Sequence, residues 1–179
     1  PGQQSVLTRE AGAFCRSNGN ARTANRAATW ASSNVSLNYT GATSQSDNYE
    51  AGEAFKTTRE TGRPGHTLDL DEVGSSAWET RNHTLGLAVR NEQHLLHLSF
   101  GYQDMPYQLY PNQRMDLLDN EQERVNLRYL GEFGAVAVEA RVYRETVDHF
   151  MDFGDDKRFW YGTNSGTGTP CSPIRFHGD

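Results

Sequence analysis

The connections between the patterned segments of this chain constrain its fold more than any single motif does. Three of them are tight polar turns, at residues 32–34, 91–93 and 132–134. Three others are long polar stretches, at residues 43–76, 103–122 and 153 onward. In an up-and-down antiparallel sheet successive connections fall at opposite ends, so the tight turns lie at one end and the long loops at the other.

The segments between these connections alternate apolar and polar residues with the period of a β-strand. Around the turn at 91–93, apolar residues recur at every second position of both flanking segments, as Leu85, Leu87 and Val89 and then as Leu96, Leu98 and Phe100. Around the turn at 132–134 the same pattern recurs in Val125, Leu127 and Tyr129 and in Val136, Val138 and Val142. We therefore predict seven strands in an all-β, antiparallel up-and-down meander.

The composition of the chain helps to decide where such a sheet resides. No apolar run approaches the roughly 20 residues that a membrane-spanning helix needs, so a spanning helix is excluded. A barrel strand needs only about 10 residues, of which alternate ones meet lipid. Short turns at one end and long loops at the other are typical of outer-membrane barrels. The prediction is a partial slice of a transmembrane β-barrel, with short periplasmic turns and long extracellular loops.

The first part of the chain is less regular. Residues 6–14 and 22–30 flank the turn cluster at 17–20, whose Asn-Gly step favours positive φ and predicts a first hairpin. An arginine on a lipid face near the bilayer midplane costs about 2–4 kcal/mol. The arginines of this hairpin are therefore expected to point into a wet interior or to lie near the rims; they are Arg9, Arg16, Arg22 and Arg26.

Other residue classes restrict the function. With 23 acidic and 17 basic residues and a net charge of −6, the chain has no basic block, and we expect no nucleic-acid partner. It has no nucleophile elbow and no paired-acid pattern, so we predict that it is not an enzyme. Cys15 and Cys171 either pair with each other or have partners outside this chain. The absence of an initiating Met and of a leader predicts a mature or excised segment.

Two other architectures are compatible with the alternation. One is a soluble β-sandwich, a binding or adhesion module whose loops at one end recognise a partner. The other is a small outer-membrane pore or adhesin closed by oligomerisation. Single-chain bacterial barrels have even strand numbers, so seven predicted strands favour a segment of a larger barrel.

Five motifs extend over much of the chain. They are RSNGN at 16–20, NYTGAT at 38–43, GYQDMPYQLYPNQRMDLLDN at 101–120, NLRYLG at 126–131 and VDHFMDFGDD at 147–156. Together they resemble the barrel of the TonB-dependent outer-membrane receptors. The resemblance implies that residues 1–179 are a partial barrel domain of a bacterial outer-membrane receptor. It further implies that a plug domain, which contacts the TonB complex, and the C-terminal barrel strands lie outside this chain.

Within that family the motifs look most like the copper receptors. In those receptors a His-x-Met pair of the barrel meets a Cys and a Met of the plug, and the matching positions here are His149 and Met151. Side chains two apart on a strand project to one face, and a thioether favours soft Cu(I). The resemblance thus implies uptake of a metal ion, with copper favoured, or of a metal chelate. The implied partners are that ion or chelate, outer-membrane lipid and the TonB complex, with no resident cofactor.

Overall fold

The alternating segments of the sequence form long antiparallel strands that pair in chain order. The computed structural model describes residues 5–61, 63–157, 160–161, 169–170 and 174–178. The seven long strands are β1 (Val6–Arg16), β2 (Ala21–Ala31), β3 (Val35–Ser46), β4 (Trp78–Arg90), β5 (His94–Gln108), β6 (Asp116–Phe133) and β7 (Val136–Asp152). Three short strands follow, β8 (Trp160–Tyr161), β9 (Thr169–Pro170) and β10 (Ile174–Gly178), and a 3-10 turn, Asn18–Asn20, joins β1 to β2.

One open sheet contains eight of these strands, in the order β1-β2-β3-β4-β5-β6-β7-β10, while β8 and β9 form a separate two-stranded ribbon. Every pairing within the large sheet is antiparallel and joins neighbours in the meander. The predicted fold class, an all-β meander forming a partial barrel wall, is therefore confirmed. The seven predicted strands are present, and β10 adds an eighth beside β7.

The tight turns predicted at 32–34 and 91–93 lie between the paired strands, and the third is centred on residues 134–135. Gly134 occupies that turn with φ +65°, a conformation that glycine adopts without steric cost. The predicted first hairpin is also present, and Gly19 and Asn20 have the expected positive φ values of 71° and 47°. Successive connections of an antiparallel meander alternate between the two ends of the sheet, however, so this short connection lies at the end that carries the long loops, which we call the loop end.

The long connections are shorter than the sequence indicated. The stretch 103–122 was predicted as a loop, but β5 continues to Gln108 and β6 begins at Asp116, which leaves only residues 109–115 between them. The first long loop likewise begins after Ser46. Apolar alternation fades here although strand pairing continues, because both faces of these strand ends carry polar residues. Of the stretch from 153 onward, residues 158–159, 162–168, 171–173 and 179 lie outside the described part.

The sheet has one apolar and one polar face. Cross-strand partners share a face, and the register joins Leu37 to Leu87, Leu87 to Leu98 and Leu98 to Leu127. The opposite face presents Asn38, Ser99 and Asn126 at the neighbouring positions. Side chains of the apolar face remain exposed, for example Leu85 at 46% and Val142 at 68%. An apolar surface of this extent requires an apolar environment or partner.

The arginines of the first hairpin depart from the expectation that each of them points into a wet interior or lies near a rim. Arg9 pairs with Ala28 and Arg26 with Gly41, so both share the face of Trp30 and Leu37. Arg22 lies on this face too, at the end of β2 next to the 17–20 turn, whereas Arg16 lies on the opposite face. Arg22 and Arg26 are four positions apart on one strand and therefore share a face, but which face this is depends on the pairing with β3.

Two copies of one side-chain arrangement lie on the apolar face. In each, a tyrosine extends across the glycine two residues later and its hydroxyl contacts the Nδ1 atom of the histidine opposite that glycine. Tyr39 and His83 meet at 2.8 Å across Gly41, and Tyr129 and His94 meet at 2.8 Å across Gly131. We call these the Tyr-Gly-His clasps. A side chain at either glycine would overlap the tyrosine, so the clasp requires glycine.

Two further predictions concern membrane helices and cysteines. No helix among the described residues is long and apolar enough to cross a membrane. Cys15 is exposed, and Cys171, its predicted alternative partner, lies outside the described residues.

Candidate metal-binding site

His149 and Met151 lie near the loop end of β7. They pair with Asn120 and Leu117 of β6 on one side and with residues of β10 on the other. Residues two apart on a strand point the same way, so both share one face, and the register with β6 makes it the polar face. Both are half-buried. The imidazole and the thioether are therefore neighbours on one surface, as their spacing predicted.

The imidazole of His149 has a defined partner on the neighbouring strand. Its Nδ1 atom lies 2.9 Å from the Oδ1 atom of Asn120, whose side chain is buried. An amide oxygen only accepts hydrogen bonds, so Nδ1 donates and carries the ring proton. The Nε2 atom of His149 is then the nitrogen with a lone pair. Imidazole nitrogens and thioethers are both transition-metal ligands, and the thioether favours Cu(I).

The described residues contain no group of three or more His, Cys, Asp and Glu side chains that could hold a metal ion together. His149 and Met151 are thus two candidate ligands, and a tight metal site would need further ligands from elsewhere. The acidic residues near this end of β7, Asp148, Asp152, Asp155 and Asp156, do not form a hard-cation cluster with one another.

A buried ion pair lies directly beyond the site. The Lys157 ammonium contacts the Asp116 carboxylate at 2.6 Å, and the side chains are 8% and 0% exposed. Lys157 also donates to the carbonyl oxygen of Tyr110, and the Ser75 hydroxyl donates to Asp116 at 3.0 Å. This arrangement ties the 47–77 loop, the 109–115 connection and the segment after β7 together.

A second carboxylate extends these contacts. Asp156 accepts hydrogen bonds from the backbone amide of Ser75 at 2.5 Å and from Asn48 at 2.9 Å, and it contacts His66 at 2.7 Å. Burial opposes its ionisation, but these three hydrogen-bond partners outweigh burial and hold the pKa of Asp156 below its ordinary value. The side chains and amides that make these contacts around Asp116 and Asp156 form a group that we call the loop cluster. It contains six residues: Asn48, His66, Ser75, Asp116, Asp156 and Lys157.

The lowered pKa of Asp156 predicts that acid loosens the loops. Its stabilising contribution is present above the unfolded-state pKa of about 3.9 and is lost as the pH falls through the lower folded-state pKa. The protection of amides in the 47–77 loop against hydrogen exchange, taken relative to the intrinsic exchange rate at each pH, should therefore fall as the pH drops below about 3.9. In Asp156→Asn this fall in protection should be smaller. Asp69→Asn, which alters an exposed carboxylate of the same loop, should behave as the wild type; an equal loss of pH dependence would contradict the assignment.

Sequence reasoning singled out His149 and Met151 but missed Asn120 and the loop cluster. Asn120 falls within the stretch that was expected to be a loop, so no strand partner was assigned to it. The loop cluster joins residues that are up to 108 positions apart. The only local signal of the cluster is that these loops are rich in polar residues, and ordinary exposed loops are equally polar.

The fold is thus that of part of an up-and-down barrel wall, with a candidate two-ligand site on its polar face. Among solved structures the chain is similar to the copper transporter OprC, with a TM-score of 0.60 and 24% sequence identity. The likeness covers 86% of this chain and 20% of that one, so the chain spans about a fifth of the transporter's length. No family model matches the sequence, and no curated protein matches it.

Proposed function

We propose that this chain is part of the barrel of a TonB-dependent receptor of the bacterial outer membrane, which takes up a metal ion. We favour copper as the transported metal ion, and the alternative cargo is a metal chelate. The observation that carries the proposal is the placement of His149 and Met151 side by side on the polar face of β7, below the loop cluster. The similarity of the fold to a copper transporter also supports this proposal.

The two faces of the sheet suit this role. The apolar face, with Leu85, Leu98 and Val142 exposed, would contact lipid, and the polar face would line the wet interior of the barrel. The cargo would arrive from the side of the long loops and meet His149 and Met151 where β7 reaches them. On this proposal residues 1–179 are one segment of the barrel, and a plug region outside it supplies further ligands and the contact to the TonB complex.

The soluble sandwich predicts a different arrangement of the apolar residues. A sandwich packs the inner faces of two sheets against each other at about 10 Å. Here most of the large apolar residues of β3 to β7 lie on one face of a single large sheet, where they stay exposed, and the buried apolar side chains of the described residues are limited to Ala21, Leu117 and Phe153. This distribution favours a barrel wall and binding with transport over a sandwich module.

The test is copper binding by the whole receptor. Substituting both His149→Ala and Met151→Ala should weaken Cu(I) binding by more than about 100-fold, because loss of outer-shell partners alone typically costs 10–100-fold. The measurement is a Cu(I) titration of the purified receptor under reducing conditions, against a competing chelator.

The matched control is His97→Ala, which removes an imidazole from the same polar face but at the turn end of β5. It should leave the Cu(I) affinity unchanged. Unchanged affinity of the double variant would remove the assignment of His149 and Met151, whereas a wild-type receptor that ignores Cu(I) would remove copper as the cargo.

A further inference from the structure

The hydrogen bond between Asn120 and His149 determines more than the position of a side chain. Asn120 lies directly opposite His149 in the β6–β7 register, and the residue is only 8% exposed. With Oδ1 of Asn120 at 2.9 Å from Nδ1 of His149, the ring is held in one orientation and one tautomer. Nδ1 carries the proton, and the Nε2 lone pair is presented away from Asn120.

We infer that Asn120 is a positioning residue that presents Nε2 of His149 to the soft metal ion carried by the receptor; this rests on the proposed function. Histidines that ligate metals generally donate the other ring N–H to a carbonyl or carboxylate oxygen, which fixes the tautomer and raises the basicity of the ligating nitrogen. The amide oxygen of Asn120 fills that role before any ion arrives. The site is therefore preorganised, and the ion need not select among tautomers.

The position of Asn120 supports this assignment over a purely structural hydrogen bond. Two residues further along the same face of β6, the Gln122 amide contacts the Glu145 carboxylate of β7. That pair joins the same two strands without involving the imidazole. If cross-strand amides served only to hold β6 to β7, Asn120 and Gln122 would be interchangeable in their effect on metal binding. The inference predicts that they differ.

The test is a double-variant cycle on the whole receptor with Cu(I) as the probe. Asn120→Ala should weaken Cu(I) binding about 10–100-fold in the wild-type background. In the His149→Ala background the same change should have no further effect, because Asn120 acts through His149. Asn120→Asp keeps an acceptor oxygen and should restore binding, and Gln122→Ala should bind as the wild type does.

A spectroscopic measurement on the metal-free receptor checks the tautomer itself. In a receptor labelled with ¹⁵N-histidine, the His149 resonances should show a protonated Nδ1 and an unprotonated Nε2 in the wild type. In Asn120→Ala they should shift toward a mixture of tautomers, whereas Gln122→Ala should leave them in place. Retention of the wild-type tautomer in Asn120→Ala would overturn the positioning role of Asn120.

The outcomes separate this inference from the proposed function. Full Cu(I) affinity in Asn120→Ala, with a wild type that binds and a His149→Ala variant that binds more weakly, would overturn only the role of Asn120. Equal losses from Asn120→Ala in both backgrounds would also overturn it. A wild-type receptor without Cu(I) affinity would overturn the copper function and this inference together.

Discussion

Lys157→Met is expected to destabilise the closed arrangement of the loops by about 3–5 kcal/mol, the cost of breaking a buried ion pair. The substitution keeps much of the apolar stem but removes the ammonium that faces Asp116 at 2.6 Å. The Asp116 carboxylate, with a fully buried side chain, would keep only hydrogen bonds from Ser75 and the Tyr110 amide. Hydrogen exchange in segments 47–77 and 109–115 of the folded receptor would measure the change as a lowered opening free energy.

The exposed ion pair in the same loop provides the matched control. Arg59 and Asp69 meet at 3.0 Å, but their side chains are 63% and 66% exposed. Pairs of this kind contribute about 0–1 kcal/mol, so Arg59→Met should hardly change the protection. Combining Lys157→Met with Asp116→Leu should recover part of the loss, since no unpaired charge stays buried. Equal effects of Lys157→Met and Arg59→Met would show that the loop cluster does not hold the loops.

Gly131→Ala and Gly41→Ala are each expected to lower the free energy of unfolding by about 1–3 kcal/mol, the usual cost of overpacking. A Cβ atom at Gly131 would overlap the Tyr129 hydroxyl, and one at Gly41 would overlap that of Tyr39. The tyrosine must then leave its position and lose its hydrogen bond to His94 or His83. Denaturant unfolding of the receptor in detergent micelles, followed by tryptophan fluorescence, measures both effects.

Two further variants isolate the Tyr-Gly-His clasp as the cause. A Cβ atom at Gly52 would meet no other atom within 4 Å, so Gly52→Ala should stay within about 0.5 kcal/mol of the wild type. In a Tyr129→Ser background Gly131→Ala should cost clearly less, because the ring that it would strike most closely is gone and the His94 imidazole, 2.9 Å from the added Cβ atom, remains. A full loss in that background would show that the effect does not come from Tyr129.

The sequence predicted the architecture well where one face of a strand is apolar. Leu96 and Leu98 on β5 and Val136 and Val138 on β7 alternate with polar residues, so both strands and their tight turns were located from the pattern alone. It predicted less well where strands extend beyond the apolar rows. Gln103 and Gln122 form a strand pair although neither strand alternates there, because cross-strand hydrogen bonding needs no apolar side chain.

The candidate site, like the fold, could be predicted from the sequence only in part. The His149 and Met151 spacing indicated a shared face as soon as their segment was taken as a strand. Asn120 could not be assigned to them, because its contact with His149 depends on the register between β6 and β7. That register is interrupted by an irregularity between Leu117 and Asp119. A shift of one residue would have turned the Asn120 amide to the opposite face.

The sequence by itself therefore determined the strand period, the order of short and long connections and the shared face of His149 and Met151, the two candidate ligands. These are local properties, since each follows from residues within one strand or one turn. Only the tertiary structure decided which face Arg26 occupies, that Asn120 meets His149, and that Lys157 neutralises Asp116 from 41 positions away. These contacts depend on register and on loop packing between distant segments, and a buried charge or amide acquires its partner only when those segments come together.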